Sequence, residues 1–273
     1  MVERAYGMGL TNEWSEEEQR LSSAEEQFDP ITFRNLDRLA IAEGMRCLEV
    51  GGGRGSVAAF MSDRVGASGS VVVTDLDLGL LTGCDRPNIS AQIHDIRTDP
   101  LDQAAFDILH ARLVLEHFPD RLSVLDKLVT ALRPGGWMLI EDFDMSALLH
   151  LAPSKLLSVP ERLVEVWQAL IQGCIDLAGA QIDMEFGRDL GRHLVNAGLK
   201  DVGAEACTQL IHGGSSHAAF WRLGAIQTCS AVVAAGLVPQ SDLDFFVRTS
   251  EDPRSMIQGP ALVSAWGRRP LLA

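Results

Sequence analysis

Five short apolar segments recur along the first half of the chain, each bounded by polar residues or glycine. They are Met45–Val50, Val71–Thr74, Ile89–Ile93, Phe106–Leu109 and Trp137–Ile140. Runs of this kind are typical of strands that are buried on both faces of a sheet. Leucines recur at helical spacing from Pro119 to Arg133, where Pro134-Gly135-Gly136 ends the helix. The alternation of strand and helix predicts a parallel sheet with right-handed crossovers.

The chain before the first strand has helical signals. Ser15 and Glu18 have the spacing of a capping box for a first helix. Asp29 and Pro30 suit the cap and the first turn of a second helix, which Gly44 ends. The sequence therefore predicts two short helices in this region.

The second half of the chain is predicted to be more helical than the first. Apolar residues follow a helical period over Pro160–Ala180, Arg188–Asn196 and Ala218–Ala235. Val202–Ile211 and Ala261–Trp266 have the patterns of strands. No linker rich in proline or glycine divides the chain, so we predict a single domain. Its parts are an N-terminal helical lid (1–43), a ligand-binding core (44–145), a helical lid insertion (146–200) and the C-terminal part of the sheet (201–273).

Charge and composition narrow the class of protein. The chain has 37 acidic and 23 basic residues, a formal charge of -14 and no basic cluster, so we expect no nucleic-acid partner. Its longest mainly apolar stretch, about 225–238, is too short and too interrupted to span a membrane. The first residues lack a signal-peptide pattern, which predicts a cytoplasmic protein without a membrane partner. The five cysteines and seven histidines have no metal-ligand spacing, so we predict no metal site.

A glycine-rich loop directly follows the first predicted strand. It reads Glu49-Val50-Gly51-Gly52-Gly53-Arg54-Gly55-Ser56. Glycine is required where backbone approaches a ligand closely or takes a positive φ. Ligands of open parallel sheets bind outside the carboxyl ends of the strands, near such a loop. Nicotinamide enzymes use a similar turn, but their pattern would place a third glycine at Ser56.

The spacing Glu49-x-Gly51-x-Gly53-x-Gly55 resembles motif I of the class I S-adenosylmethionine (SAM) methyltransferases. Similar segments follow in the order found in that superfamily: Val71–Asp77, Ile93–Ile96, Phe106–Arg112, Leu115–Asp120 and Leu132–Trp137. The resemblance is strongest over residues 44–145. It implies an α/β fold with a Rossmann-like, seven-stranded, mostly parallel sheet, helices on both faces, and helical lids from the N-terminus and an insertion.

The resemblance also implies a SAM site, with S-adenosylhomocysteine as the product. Asp75 would accept hydrogen bonds from the ribose hydroxyls, and Asp95 would accept one from the adenine amino group. Glu49 falls near the methionine end of the cofactor. The segment around Tyr6 resembles the cofactor-covering segment of small-molecule methyltransferases from actinobacteria. The predicted cofactor-binding residues are Tyr6, Glu49, Gly51, Gly53, Asp75, Leu76, Asp95, Ile96 and Arg112.

An acceptor pocket is expected from the insertions at the carboxyl edge of the sheet, as in that superfamily. The predicted acceptor-binding residues are Trp14, Phe143, Trp167 and His217. An oxygen acceptor must lose a proton during methyl transfer, and His117 and Asp142 are the candidate bases.

The predicted function is transfer of a methyl group to an oxygen, nitrogen or carbon atom of a small, largely apolar bacterial metabolite, as in natural product biosynthesis. Two alternatives remain open on the sequence. One is a SAM-binding protein that has lost methyl transfer and acts as a cyclase, a pericyclase or a binding module. The other is a nicotinamide oxidoreductase. A homodimer is compatible with the sequence, which does not determine the oligomeric state.

Overall fold

The fold is built on a seven-stranded sheet, and the computed structural model describes residues 10–145 and 161–271. The strands are β1 (Arg46–Val50), β2 (Ser70–Asp75), β3 (Ile89–Ile93), β4 (Phe106–Arg112), β5 (Leu132–Asp144), β6 (Lys200–Cys207), β7 (Leu210–His212), β8 (Met256–Gln258) and β9 (Ala261–Arg268). The sheet order is β3-β2-β1-β4-β5-β9-β6, and β9 runs antiparallel to both of its neighbours. β7 and β8 pair separately as a small antiparallel sheet.

Helices cover both faces of this sheet. They are α1 (Glu17–Arg38), α2 (Ser56–Val65), α3 (Arg121–Ala131), α4 (Glu161–Ala178), α5 (Phe186–Asn196), α6 (Ser216–Ala234) and α7 (Gln240–Glu251), with a 3-10 turn at Leu115–His117. Side chains alternate between the faces: Ile108 of β4 packs with α1 and α2, while Leu109 packs with α3 and α5. The predicted Rossmann-like fold is confirmed.

A helical cap extends the core beyond the end of β5. Phe143 and Met145 pack there with buried apolar residues of α4, α6 and α7 and with Phe28 of α1. Pairs of aromatic rings, such as the stacked Trp167 and Phe246 with centroids 4.5 Å apart, join these helices. The cap therefore forms one apolar unit above the carboxyl edge of the sheet.

The prediction of two short N-terminal helices is wrong, because α1 is one continuous helix of 22 residues that includes Pro30. Proline has no N–H, so the carbonyl of Glu26 loses its helical partner. Both Glu26 and Pro30 are exposed, which lets water satisfy that carbonyl. Phe28 and Ile31 are buried on the opposite face and hold the two halves of the helix in line. The helix also begins at Glu17, with no side-chain cap from Ser15.

Other elements differ from the prediction at the margins of the sheet. β3 is an edge strand with mainly exposed side chains, and Ile93 is 58% exposed, so it is not buried on both faces. The pattern over Val202–Ile211 divides into β6 and β7, while α7 and β8 were not predicted.

Part of the predicted lid insertion, residues 146–160, lies outside the described residues. Within the described part of the chain, no helix has the length and apolar character needed to cross a bilayer.

Candidate active site

A continuous pocket of about 280 Å³ runs from the carboxyl ends of β1, β2 and β4 into the helical cap. Its polar end includes the glycine loop, Asp75 and Asp95. Its apolar end includes Trp167 of α4 and Trp221 of α6. The two ends belong to one cavity, so a nucleoside ligand and an apolar second molecule would lie side by side in it.

The glycine loop is shaped by backbone conformations that favour glycine. Gly51 and Gly53 have φ values of +75° and +52°. A Cβ atom on Gly51 would lie 2.5 Å from Cγ2 of Val114, so a side chain has no room there. A Cβ on Gly53 would meet no protein atom within 4 Å, and Gly53 lines the pocket. The loop therefore presents bare backbone to the cavity at Gly53.

Gly53→Val should weaken binding of S-adenosylhomocysteine by about tenfold or more, because its side chain would occupy cavity space. Gly179 provides the matched control: its φ is +54°, a Cβ there also meets nothing within 4 Å, and it does not line the pocket. Both substitutions should cost about 1–2 kcal/mol of folding free energy from left-handed backbone strain. Calorimetric titration of both variants checks this, and equal ligand affinities for the two would contradict it.

Two aspartates mark the ends of β2 and β3. Asp75 accepts hydrogen bonds from the backbone N–H groups of Gly53 and Asp77, each at 3.1 Å. Burial raises the pKa of Asp75, while these N–H groups act to lower it. Asp95 pairs with Arg97 at 2.9 and 3.1 Å, and this hydrogen bonding lowers the pKa of Asp95. Asp75 and Asp95 both line the pocket.

A buried polar network lies beneath the pocket floor. His110 contacts Glu49 through Nδ1 at 2.7 Å and Glu141 through Nε2 at 3.3 Å. Burial alone would lower the pKa of His110, but the two carboxylates outweigh it and raise that pKa to about 9. His110 in turn helps to hold the pKa of Glu141 at about 2 against the effect of burial. The imidazolium therefore joins two carboxylates across β1, β4 and β5.

Helix α1 completes this network and fixes Arg112. Thr32 donates to Glu141, and Arg112 donates to Thr32 at 2.8 Å and to Asp29 at 2.8 Å. Arg112 lines the pocket at the end of β4. Its guanidinium is thus held from α1 on one side of the cavity.

The first half of α1 forms a pocket wall and contacts the glycine loop. Arg54 of that loop pairs with Glu25 of α1 at 2.7 Å, and Arg20 and Ala24 line the cavity. The side chains of Ala24 and Phe28 belong to the apolar core of the cap. This half of the helix therefore packs against the folded body in this structure.

Amides of α1 from about residue 20 to residue 36 should resist hydrogen exchange whether or not ligand is bound, because they belong to a continuous packed helix. The preceding residues 10–16 should gain protection when S-adenosylhomocysteine binds, because Leu10 and Asn12 line the pocket. Exchange measured by mass spectrometry with and without that ligand checks both statements. Strong exchange at residues 20–36 without ligand would contradict the first statement and favour the predicted N-terminal lid.

His117 is the predicted base that reaches the cavity. Its Nε2 lies 3.6 Å from Oε1 of Glu116, which also lines the pocket. Burial, assisted by the charge of Arg20, lowers the pKa of His117 to about 4, so its imidazole is neutral near pH 7. Burial raises the pKa of Glu116 to about 8. The neutral imidazole can accept a proton, and its lowered pKa makes it a weaker base than a free histidine.

Asp142 does not line the cavity, in contrast to the prediction. It is fully buried, and its Oδ1 accepts from the backbone N–H of Val114 at 3.1 Å. Burial and the nearby Glu116 raise the pKa of Asp142 well above its ordinary value. The reason for the difference is strand length: β5 continues to Asp144, so Asp142 is inside the sheet and not at its end.

The predicted residues divide clearly by position. All the described cofactor candidates line the cavity, as do Phe143 and Trp167, whereas Tyr6 lies outside the described residues. Trp14 does not line it, because it is in the turn before α1. His217 does not line it either, because it lies one turn before the first cavity-lining residue of α6.

The lining residues that sequence reasoning did not identify as part of the site include Arg20, Glu116, Cys174, Met184 and Cys229. Of these, only Glu116 had a signal, through its place beside His117 in the motif.

The sheet order, the glycine loop and the acid-ended strands define a nucleotide-binding α/β protein of the Rossmann-like class. A methyltransferase-domain family model matches residues 22–202, more than half of the chain, and the chain belongs to that family. The nicotinamide interpretation of the glycine loop is therefore wrong.

Similar proteins agree with this family. The chain is 26% identical over 220 residues to the 27-O-demethylrifamycin SV methyltransferase of Amycolatopsis mediterranei, covering 77% of this chain and 73% of that protein. It is 30% identical over 133 residues to methyltransferase str2 of Strobilurus tenacellus, covering 48% of this chain and 46% of that protein. It is 32% identical over 116 residues to the ubiquinone/menaquinone C-methyltransferase UbiE of Idiomarina loihiensis, covering 40% and 46%. The matches thus span about half the length of str2 and of UbiE.

Solved structures share the fold. The YcgJ protein of Bacillus subtilis superposes with a TM-score of 0.55 at 14% identity, covering 87% of this chain and 97% of that one. A methyltransferase-like protein of Bacillus halodurans gives a TM-score of 0.52 at 16% identity, covering 87% and 98%. At these identities the likeness concerns the fold alone.

Proposed function

We propose that the protein is a SAM-dependent methyltransferase that acts on an oxygen, nitrogen or carbon atom of a small, largely apolar metabolite. One observation carries this proposal: a single cavity joins the glycine loop and Asp75 to an aromatic wall that contains Trp167 and Trp221. The polar end suits a nucleoside cofactor, and the apolar end suits the acceptor.

The polar end fits SAM residue by residue. Asp75 would accept from the ribose hydroxyls and Asp95 from the adenine amino group, and bare backbone at Gly53 would allow close approach of the ligand. Glu49 lines the same end, where the resemblance to the family would put the methionine portion. Bound SAM supplies an electrophilic methyl group on its sulfonium. The product of transfer is S-adenosylhomocysteine.

The chain's own contribution is positioning and proton acceptance. The walls from α1, α4 and α6 exclude water and would hold an acceptor against the methyl group, and orientation of this kind supplies much of the acceleration. For a hydroxyl acceptor, the neutral imidazole of His117 takes the proton. Oε1 of Glu116 lies 3.6 Å from Nε2 of His117, which is beyond hydrogen-bond distance.

For a hydroxyl acceptor, His117→Ala should lower kcat by about 100-fold or more, the usual contribution of a general base. His217→Ala is the matched control, because His217 lies outside the cavity and should leave kcat unchanged. The affinity for S-adenosylhomocysteine should stay the same in both variants. An equal kcat for His117→Ala and wild type would remove His117 from the reaction.

The names of the similar proteins include two kinds of methyl-accepting atom. One is named for methylation at an oxygen of a rifamycin and another for carbon methylation in quinone biosynthesis, so both acceptor atoms remain within the proposal. Natural product biosynthesis, a cytoplasmic location and a homodimer stay predictions. The second candidate function is a SAM-binding protein without methyl transfer, because an apolar cavity also suits cyclisation or simple binding.

The test combines binding and turnover. Calorimetry with S-adenosylhomocysteine should show a single site, and loss of that heat in Asp75→Ala would locate it. Label transfer from methyl-labelled SAM is then measured against a panel of phenols, quinones and hydrophobic amines. Labelled product supports methyl transfer, and binding without product throughout the panel favours the second candidate. Failure to bind S-adenosylhomocysteine would overturn both functions.

A further inference from the structure

Two buried thiols face each other in the wall of the cavity. Cys174 of α4 and Cys229 of α6 have their sulfur atoms 3.6 Å apart. They are 4% and 3% exposed, and both line the pocket. Small molecules that enter the cavity can therefore reach a pair of thiols that is closed to the outer surface.

The backbones of α4 and α6 approach each other closely at this level. Gly173 is buried, and a Cβ atom on it would lie 2.4 Å from Cγ1 of Val232. Val232 is three residues from Cys229 and therefore on the same face of α6. The missing side chain thus brings the two helices together where the thiols meet, as a link between Cys174 and Cys229 requires.

The local chemistry favours ionisation of one thiol of the pair. The sulfhydryl group of Cys174 hydrogen-bonds to Cys229 and lowers the pKa of that thiol. Thr228 Oγ1 lies 3.8 Å from the sulfur of Cys229 as a further polar neighbour. The thiolate is the reactive form of cysteine, so this arrangement assists oxidation.

We propose that Cys174 and Cys229 are a modification site, a dithiol in the pocket wall that a peroxide converts reversibly to a disulfide. One thiolate attacks a peroxide oxygen and becomes a sulfenic acid with release of water. The second thiol attacks that sulfur, and the S–S bond forms with loss of another water. In sum, two thiols and one hydrogen peroxide give one disulfide and two waters.

The modification would act on the acceptor end of the cavity. Bond formation brings the sulfurs from 3.6 Å to about 2.05 Å and ties α4 to α6. Trp167 lies on α4 and Trp221 on α6, so the link changes the aromatic wall between them. The cofactor end is formed by strand ends and the glycine loop, which the link does not touch. The expected effect on acceptor binding rests on the function proposed above.

The first experiment measures the link itself. The full-length protein is treated with hydrogen peroxide, and intact mass and peptide mapping are recorded before and after dithiothreitol. We expect loss of two hydrogen atoms, a peptide that joins Cys174 to Cys229, and full reversal by the reductant. Cys174→Ser and Cys229→Ser should each abolish the change, whereas Cys207→Ser, at a position outside the cavity, should not. No joined peptide, or a joined peptide that involves another cysteine, would overturn the proposal.

The second experiment separates the two ends of the cavity. Affinity for S-adenosylhomocysteine should stay within about twofold after oxidation. Affinity for the anionic dye 1-anilinonaphthalene-8-sulfonate, whose aromatic rings bind apolar surface, should change by about fivefold because the apolar wall is rearranged. Cys229→Ser protein should show neither change. A link that forms in a protein unable to bind S-adenosylhomocysteine would sustain this inference while the proposed function fails. Normal binding of S-adenosylhomocysteine without the disulfide would overturn this inference and leave the proposed function in place.

Discussion

Asp75→Ala should lower the affinity for S-adenosylhomocysteine by about 30- to 150-fold, which corresponds to about 2–3 kcal/mol of charge-assisted hydrogen bonding. The carboxyl group ends β2 and lines the polar end of the cavity. It also accepts from the N–H of Gly53, so it supports the loop that the ligand must approach. Both effects act in the same direction, and calorimetric titration measures their sum.

Two further variants separate these effects. Asp75→Asn removes the charge and keeps one oxygen, which can accept from the N–H of Gly53 but not also from that of Asp77. A smaller loss of affinity than in Asp75→Ala would measure the support that this acceptor gives to the glycine loop. Asp77→Ala is the control variant. It removes the acceptor for the N–H of Gly79 in the loop after β2, and Asp77 does not line the cavity. It should keep ligand affinity within about twofold. Wild-type affinity in Asp75→Ala would reject the assignment of this residue to the cofactor site.

The strands and the cofactor end of the site could be predicted because their signals are local. A buried strand such as β1 is a short apolar run, and the glycine loop directly follows it in the chain. Asp75 and Asp95 follow the carboxyl ends of two strands. In a parallel sheet these ends lie at one edge, where ligands bind. The structure brings these residues into one cavity.

The parts that could not be predicted depend on contacts between distant segments. Pro30 is a helix-start signal in sequence, and only the packing of Phe28 and Ile31 against the body of the protein allows α1 to pass through it. Elements of three residues, such as β7 and β8, have too little pattern to detect. The acceptor wall combines α1, α4 and α6, and their facing residues follow from tertiary packing alone.

The buried network is the clearest example of this limit. Glu49, His110, Glu141 and Ser264 are far apart in the chain, yet they lie on four adjacent strands and share hydrogen bonds. In sequence, His110 is one of three polar residues, with Asp107 and Arg112, in the strand Phe106–Arg112. Its role becomes visible only when β1 and β5 are placed on either side of it.

His110→Gln should reduce the free energy of unfolding by about 3–5 kcal/mol, because it leaves two buried carboxylates without their cation. Urea unfolding followed by circular dichroism measures the change. The double variant His110→Gln with Glu141→Gln removes one of those charges and should recover more than half of the loss. Glu205→Gln is the control, since Glu205 pairs with Arg38 on the protein surface and should cost about 1 kcal/mol or less. Strictly additive losses in the double variant would show that the charges do not interact.

The same substitution should flatten the pH profile of stability in a defined window. The pKa of His110 is about 9 in the folded protein and 6.5 in the unfolded reference, so its stabilising contribution is complete below about pH 6.5 and disappears as pH rises through 9. Glu141 behaves in the opposite sense: its pKa of about 2 gives a contribution that is present above about pH 4.5 and disappears as pH falls through 2. The raised pKa of Glu116 adds its own slope to both proteins, and the difference between wild type and variant removes it. Burial also raises the pKa of Glu49, which contacts His110, so its slope does not cancel below about pH 6.5. Above that pH the difference should shrink toward pH 9. A difference that stays constant between about pH 6.5 and pH 9 would mean that His110 is neutral in the folded protein.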